Sequence, residues 1–304
     1  MNADLDALAT ALYATVDDAL IADPSLTPER PLIGIAPQLS DAELVTLAVI
    51  QALLGFTSEA RFIRHARNEL RGLFPYIPKV SGYNKRLRHA TGMLRGVMRL
   101  IAIRCASWHD DVWLIDSTPV ECGRSRQTAL RSDLAGVAGY GYCASHSRYF
   151  WGMRLHLIAT TSGLPIAFAL ANPKDDERHI ARDMLEIEPG LLAQRVTQTI
   201  IADKGYRSVE FEAMLAGHGA TLIRPTLKNE ADRPGQRFLK PFRQIIESIN
   251  QTLKAQLDLE HHTARKLEGL ATRILQRLLA LTAVIWHNEQ TNQPVLRHLT
   301  PYDH

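Results

Sequence analysis

The sequence predicts a two-part α/β protein: a mixed five-stranded sheet flanked by helices, preceded by an all-helical module. Three observations carry this. Apolar residues keep a helical period up to about residue 105 and change to short β-branched runs from residue 112. The later segments then run strand, strand, strand, helix, strand, helix, strand, helix, an order that builds a mixed sheet covered on both faces. Charge divides along the same line: residues 61–104 hold eleven Lys and Arg against the single acid Glu69, a net +10, whereas the whole chain is only +3.

The helical module begins with an acidic stretch in which Asp4, Asp6, Asp17, Asp18, Asp23 and Glu29 face only Arg30. Ser40-Asp-Ala-Glu43 is a capping box that opens a helix over Leu44–Leu54 and ends at Gly55. A second helix is predicted from Ser58 to Arg71, before Gly72 and Pro75. A third runs from Tyr83 to about Cys105, with Leu87, Leu94, Met98 and Ile101 as its buried stripe. Lys85, Arg88, Arg95 and Arg99 lie mostly off that stripe. A basic face of this size attracts polyanions, so the module reads as a DNA-binding head with Lys85 and Arg88 among its contacts.

Val112–Val120 reads as a buried strand ending its apolar run in Asp116. Tyr149–Thr160 and Leu164–Leu170 form a hairpin around Ser162-Gly163. A helix follows over Glu177–Ile187, and Asp175-Asp176-Glu177 at its start reads as capping and dipole compensation, with Asp175 or Asp176 as an alternative support for the site. Thr197–Ala202 is a further strand, followed by Asp203-Lys204-Gly205-Tyr206. Ser208 caps a helix to about Ala216, Thr221–Ile223 is the last strand, and helices follow over about Lys240–Leu257 and Ala264–Asn288. Residues 121–148, rich in Arg, Ser and Gly, read as a long loop.

Asp116 and Asp203 close the first and fourth of these strands. If those strands are neighbours, both carboxylates meet at one sheet edge, and a divalent cation relieves their repulsion. Glu247 offers a third carboxylate from a helix whose apolar seam is Ile246, Ile249, Leu253 and Leu257. Arg243, Glu247, Gln251 and Lys254 share the adjoining stripe, so one helix offers an acid between two cations. Alone, that stripe reads as a surface ion-pair ladder in preference to a metal and phosphate site.

Taken together, Ile115-Asp116-Ser-Thr-Pro-Val120, Gly152-Met-Arg-Leu-His-Leu157, Ala202-Asp-Lys-Gly-Tyr206 and Arg243-x3-Glu247-x6-Lys254 resemble the DD-E transposases of bacterial insertion sequences. The resemblance covers about residues 110–290. It departs at Lys240, where that family's Tyr-Arg-Glu-Lys signature has its tyrosine. It implies a ribonuclease-H-like catalytic domain in which Asp116, Asp203 and Glu247 bind two magnesium or manganese ions, with Ser117 and Lys204 beside them. Arg243, Lys254 and Lys204 then join Lys85 and Arg88 as DNA contacts. The implied reaction is metal-dependent cutting at transposon ends, followed by attack of the freed 3′-hydroxyl on target DNA. The implied assembly is a homodimer or higher oligomer on double-stranded DNA, bound at terminal inverted repeats and at the target. A metal-dependent nuclease and a silent, transposase-derived DNA-binding protein are the competing readings.

The domain expectation is thus 1–105 for the DNA-binding module, 106–290 for the catalytic domain and 291–304 for a tail. The three cysteines are widely spaced and suggest no disulfide framework. With no basic, apolar leader at the N-terminus, the expected location is the bacterial cytoplasm, at the nucleoid. Twelve histidines form no spaced metal motif. His261-His262 reads as a solvated pair, His156 as a satisfied core residue in preference to a DNA contact, and Trp286 as packing on the last helix.

Overall fold

The computed structural model describes residues 3–29, 36–143, 147–188, 190–193, 195, 197–227, 230–231, 233–294 and 299. In chain order the elements are α1 (Ala3–Ala22), α2 (Asp41–Leu53), α3 (Glu59–Glu69), α4 (Val80–His89), α5 (Thr91–Ile103), β1 (Val112–Gly123), α6 (Arg126–Arg131) and β2 (Gly139–Cys143). They continue with β3 (Arg148–Thr160), β4 (Pro165–Ala171), α7 (Glu177–Ile187), α8 (Gly190–Ala193), β5 (Gln198–Ile201), α9 (Val209–Gly217), β6 (Ala220–Ile223), α10 (Gln236–Gln251) and α11 (Leu267–Gln290). The chain divides into two compact units, one of residues 1–105 with 252–304 and one of residues 106–251.

In the first unit α11 packs against α1, α2, α4 and α5. The sequence reading places this helix in the second domain, but its placement follows from its surface. Residues 270 and 272–288 are all buried, so this helix has cover on every side, its polar residues included. Leu270, Ile274, Leu278, Leu281 and Ile285 are each 0–1% exposed. At about 1.5–3 kcal/mol per large aliphatic side chain, that seam contributes gross burial on the order of 10 kcal/mol to the unit. By length and composition α11 could cross a membrane. Its most apolar stretch is 89% buried, so it serves as a core helix. The capping box is present: Ser40 Oγ accepts the Glu43 amide at 3.0 Å, and Glu43 takes the Ser40 amide. The single helix expected over residues 83–105 is two, α4 and α5. The chain breaks at Ala90 (φ −85°, ψ 6°), and the Thr91 hydroxyl donates to the Arg88 carbonyl at 2.7 Å.

The second unit is built on one six-stranded mixed sheet, one strand more than predicted. The additional strand is β2, inside the stretch read as a loop, which also holds α6. β2 lines the outer edge of β3 at Arg148–Gly152, and β4 takes over the same edge from Arg154. The other edge of β3 pairs antiparallel with β1, after which β1–β5 and β5–β6 are parallel. Gly152 is a geometric necessity here. β1 is irregular between Glu121 and Gly123, and a Cβ on Gly152 would lie 2.1 Å from the Val120 carbonyl oxygen.

Candidate functional site

The parallel register puts two acids side by side. Leu114 pairs with Ile201, so Asp116 and Asp203 each lie two residues beyond the same rung, on the same face by the period-2 rule. The expectation that their strands are neighbours is met, but Asp116 does not close its strand: β1 runs on to Gly123 along β3, and Asp116 stands where the pairing with β5 has stopped, while Asp203 follows the end of β5. The point where that parallel pairing stops, with the sheet order running outward on either side, is where α/β sheets bind ligands.

Asp116 sits in a half-buried slot. Its Oδ2 accepts the Asn250 side-chain amide from α10 at 2.9 Å. Burial pushes its carboxyl up to about 6, the charges of Asp203 and Glu177 add to the rise, and the Ser117 amide and Asn250 oppose it. Asp203 is raised in the same direction, by burial first and Glu177 after the opposing Gly205 amide. Lys204 and Arg243 pull it down. Its Oδ1 accepts the Gly205 N–H at 2.7 Å and closes the Lys204–Tyr206 turn. Gly205 is the residue that fits: a Cβ would lie 2.9 Å from Asp203 Oδ1 and 3.2 Å from Glu177 Oε2. The Asp-Lys-Gly-Tyr piece is thus a turn that holds an acid while a second carboxylate passes close by.

That second carboxylate is Glu177, which sequence reasoning consigned to capping. Asp176 is the actual cap of α7, accepting the Arg178 amide at 2.9 Å, and Asp175 closes the preceding turn onto the Asn172 amide. Glu177 instead points to the sheet. Its Oε1 accepts Ser117 Oγ at 2.6 Å and Arg154 Nη1 at 2.7 Å, while Arg154 also reaches the Tyr142 carbonyl at 2.9 Å. Strand alternation could have flagged it: Ser117 faces His156 across β1–β3, and Arg154 shares that face.

Glu247 is placed differently from Asp116 and Asp203. Its side chain is 61% exposed and pairs with Arg243 Nε at 3.0 Å. It is not among the charges that shift Asp116 or Asp203, and among the described residues no three His, Cys, Asp or Glu side chains stand ready around a metal. The helix itself does reach the acids. Asn250, one turn on from Glu247, holds Asp116, and Arg243 is felt at Asp203. So α10 lies over the pair while its own carboxylate faces outward. Lys254 lies beyond α10 in a π-helical turn and pairs with Glu260 at 3.4 Å at 19% exposure, so it is not the open cation its spacing suggests. Lys204, Lys85 and Arg88 are exposed.

Two buried groups add to the unit's polar side. The Tyr206 hydroxyl is fully buried and among the described residues has no hydrogen-bond partner. Burial, then Glu177, Asp116 and Asp203, drive its ionisation well above the usual value, so it stays a protonated donor beside carboxylates. His156 is buried with both ring nitrogens unpartnered, a core histidine but not a satisfied one. In the first unit His262 is buried as well, against its reading as solvated, and its Nδ1 accepts the Ala264 amide at 3.0 Å.

The profile of the transposase DDE domain family matches residues 107–283, more than half of the chain. Among solved structures, a piggyBac transposase in its synaptic complex with hairpin DNA is similar over 97% of this chain and 76% of that one, at 8% identity and a TM-score of 0.45. No curated protein matches the sequence.

Proposed function

The chain belongs to the transposase DDE domain family, and on that premise we propose that it cuts DNA at the ends of a mobile element and joins the freed 3′-hydroxyl to a target. The observation that carries this reading is the acid pair Asp116–Asp203, each two residues past the last rung shared by the adjacent parallel strands β1 and β5, with Asp116 raised to about 6. Two carboxylates that disfavour each other's ionised form suit a divalent cation, Mg²⁺ or Mn²⁺, whose hard charge removes both penalties. The donors are oxygen only, as such ions require. Asp116 and Asp203 would hold the cation, and Glu247 is the residue that would complete the set. Once bound, such a cation supplies Lewis-acid stabilisation to an in-line displacement at phosphorus.

The chain's own groups have separate tasks. Asn250 fixes the orientation of Asp116, and the Gly205 amide fixes that of Asp203. Arg154 and Ser117 hold Glu177 through its Oε1, which fixes where its charge stands beside the pair. Lys204 and Arg243, both solvent-facing and both felt at Asp203, are placed to meet phosphate oxygens.

A supercoiled plasmid carrying the element's terminal repeats, incubated with Mn²⁺, tests the reading. Strand-transfer products are expected, cleavage alone would indicate a nuclease, and binding without cutting a silent descendant. Asp203→Asn should keep DNA affinity and lose chemistry by roughly a thousandfold, several kcal/mol of barrier. Undiminished cutting by that variant would sink the assignment.

A further inference from the structure

The first unit contains an open cavity of about 480 Å³ well away in sequence from the acid pair. Its wall comes from both ends of the chain: α3 and α4 on one side, the segment 262–266 and the start of α11 on the other. Four cationic side chains line it, Arg88, Arg265, Lys266 and Arg273, against the one carboxylate of Glu59. That carboxylate is already taken. It pairs with Arg273 and accepts the Asn84 side-chain amide at 2.8 Å through each oxygen. Arg88, Arg265 and Lys266 are exposed, and among the described residues none of their side chains has a hydrogen bond or ion pair. The cavity therefore presents three uncompensated cations over a neutralised floor.

The backbone adds to the same sign. Lys266 is the N-cap of the 24-residue α11 and provides no side-chain cap, so the first amides of that helix keep their donors. The segment before it is held in an unusual shape. Thr263 is β-branched yet sits at φ +53°, with its hydroxyl donating to the Thr57 carbonyl at 3.3 Å. This fixes where Arg265 and Lys266 project relative to Arg88.

Resting on the DNA reading above, we infer that this cavity seats backbone phosphate of duplex DNA, clamped between Arg88 of α4 and the Arg265-Lys266 pair. The lining contains no Phe, Tyr or Trp, so it offers no platform for a stacked base and suits a phosphodiester rather than a nucleotide. Arg88 also belongs to the net +10 block of residues 61–104, which extends the positive field a duplex would follow. A contact of this kind positions DNA without reading its sequence.

The test measures duplex affinity by fluorescence anisotropy across a salt series, using the full chain. Arg265→Gln with Lys266→Gln should weaken binding on the order of tenfold at moderate salt, equally for terminal-repeat and unrelated duplexes. The slope of log affinity against log salt should fall by about one for each lost phosphate contact. Arg131→Gln removes an exposed charge outside both the cavity and the basic block and should change the slope little. As a readout free of variants, acylation of Lys266 in the wild type should be suppressed by duplex and not by pyrophosphate at equal concentration. Protection by pyrophosphate alone, or variants indistinguishable from Arg131→Gln, would overturn the phosphate seat. A wild type that binds and cuts DNA while those variants bind equally well would discard the seat and leave the transposase reading intact. A wild type with no duplex affinity would end both.

Discussion

Two polar clusters in this protein are built on opposite principles. In the first unit, Glu59, Asn84, Arg273, Gln276, Gln51 and Tyr83 form a closed chain. Arg273 donates to Glu59 and to Gln276 Oε1 at 2.9 Å, Gln276 Nε2 donates to Gln51 Oε1 at 3.2 Å and the Ala48 carbonyl at 2.7 Å, and the Tyr83 hydroxyl donates to Gln51 at 2.8 Å. One plus meets one minus, and the named donors have acceptors. In the second unit, Asp116, Asp203 and Glu177 crowd a sheet edge, while the Tyr206 hydroxyl and both His156 nitrogens have no partner. The closed cluster stabilises a fold. The open one holds an imbalance that only something outside the chain can remove, which is what a binding site is in energetic terms.

The largest effect on stability should therefore come from the closed cluster. Arg273→Ala leaves Glu59 buried with only Asn84 to answer it and strips Gln276 of a donor. Removing one partner of a buried ion pair costs about 3–5 kcal/mol, a large share of a typical domain's total stability. Chemical denaturation should show the loss. A change below about 1 kcal/mol would mean that the cluster is not the closed unit described.

The open cluster should show itself in the pH dependence of stability, and there two groups oppose each other. Burial, reinforced by Arg154, lowers the His156 imidazole to about 4, with Asp175 pulling the other way. The unfolded chain then takes up a proton near 6.5 while the folded one does not, so stability falls as pH drops from 6.5 towards 4. Asp116 does the reverse. Its folded value of about 6 lies above the unfolded 3.8, so the folded chain takes the proton first and gains stability as pH falls from 6 to 3.8. Each term is on the order of 3 kcal/mol at full extent and they have opposite signs. In chelator-containing buffer, His156→Leu should become relatively more stable towards pH 4, and Asp116→Asn relatively less stable, each measured against wild type. Parallel pH profiles for all three proteins would refute the opposed pair.

How legible each cluster was follows from its chemistry. Asp116 and Asp203 announce themselves because a lone acid closing an apolar run breaks a simple pattern, and the parallel register then places them side by side. Glu177 was hidden because the third of three acids at a helix start satisfies the ordinary rules for a helix N-terminus. Only the face shared by Ser117 and Arg154 reveals its other role. The sixth strand was missed because Gly139-Tyr-Gly-Tyr-Cys143 carries two glycines, which lower strand preference, and owes its pairing to the edge of β3. Glu247 was assigned to the metal set on a stripe shared with Arg243, and the structure shows it in the alternative arrangement, a surface ion pair with Arg243. That stripe gives spacing along a helix and cannot say towards which neighbour a long side chain turns. α11 illustrates the same limit: its apolar surface predicts burial, not the unit that supplies the cover.

The smallest effect, and the sharpest test of the open cluster, belongs to Tyr206. A buried hydroxyl with no partner costs stability by leaving its solvation behind, so Tyr206→Phe should leave the fold unchanged or stabilise it by about 1 kcal/mol. In a closed network the same substitution would cost about as much, as expected for Tyr83→Phe, whose hydroxyl donates to Gln51. The pair of variants thus compares like chemistry in the two clusters, with opposite signs of stability change. Tyr206→Phe should also lower strand cleavage severalfold if the hydroxyl donates to a carboxylate or phosphate oxygen when DNA is bound, since that donor lies among Glu177, Asp116 and Asp203. Equal destabilisation by both variants would show that the Tyr206 hydroxyl is bonded in the apo protein. The distinction between a closed and an open cluster would then fail at the residue where it is most exacting.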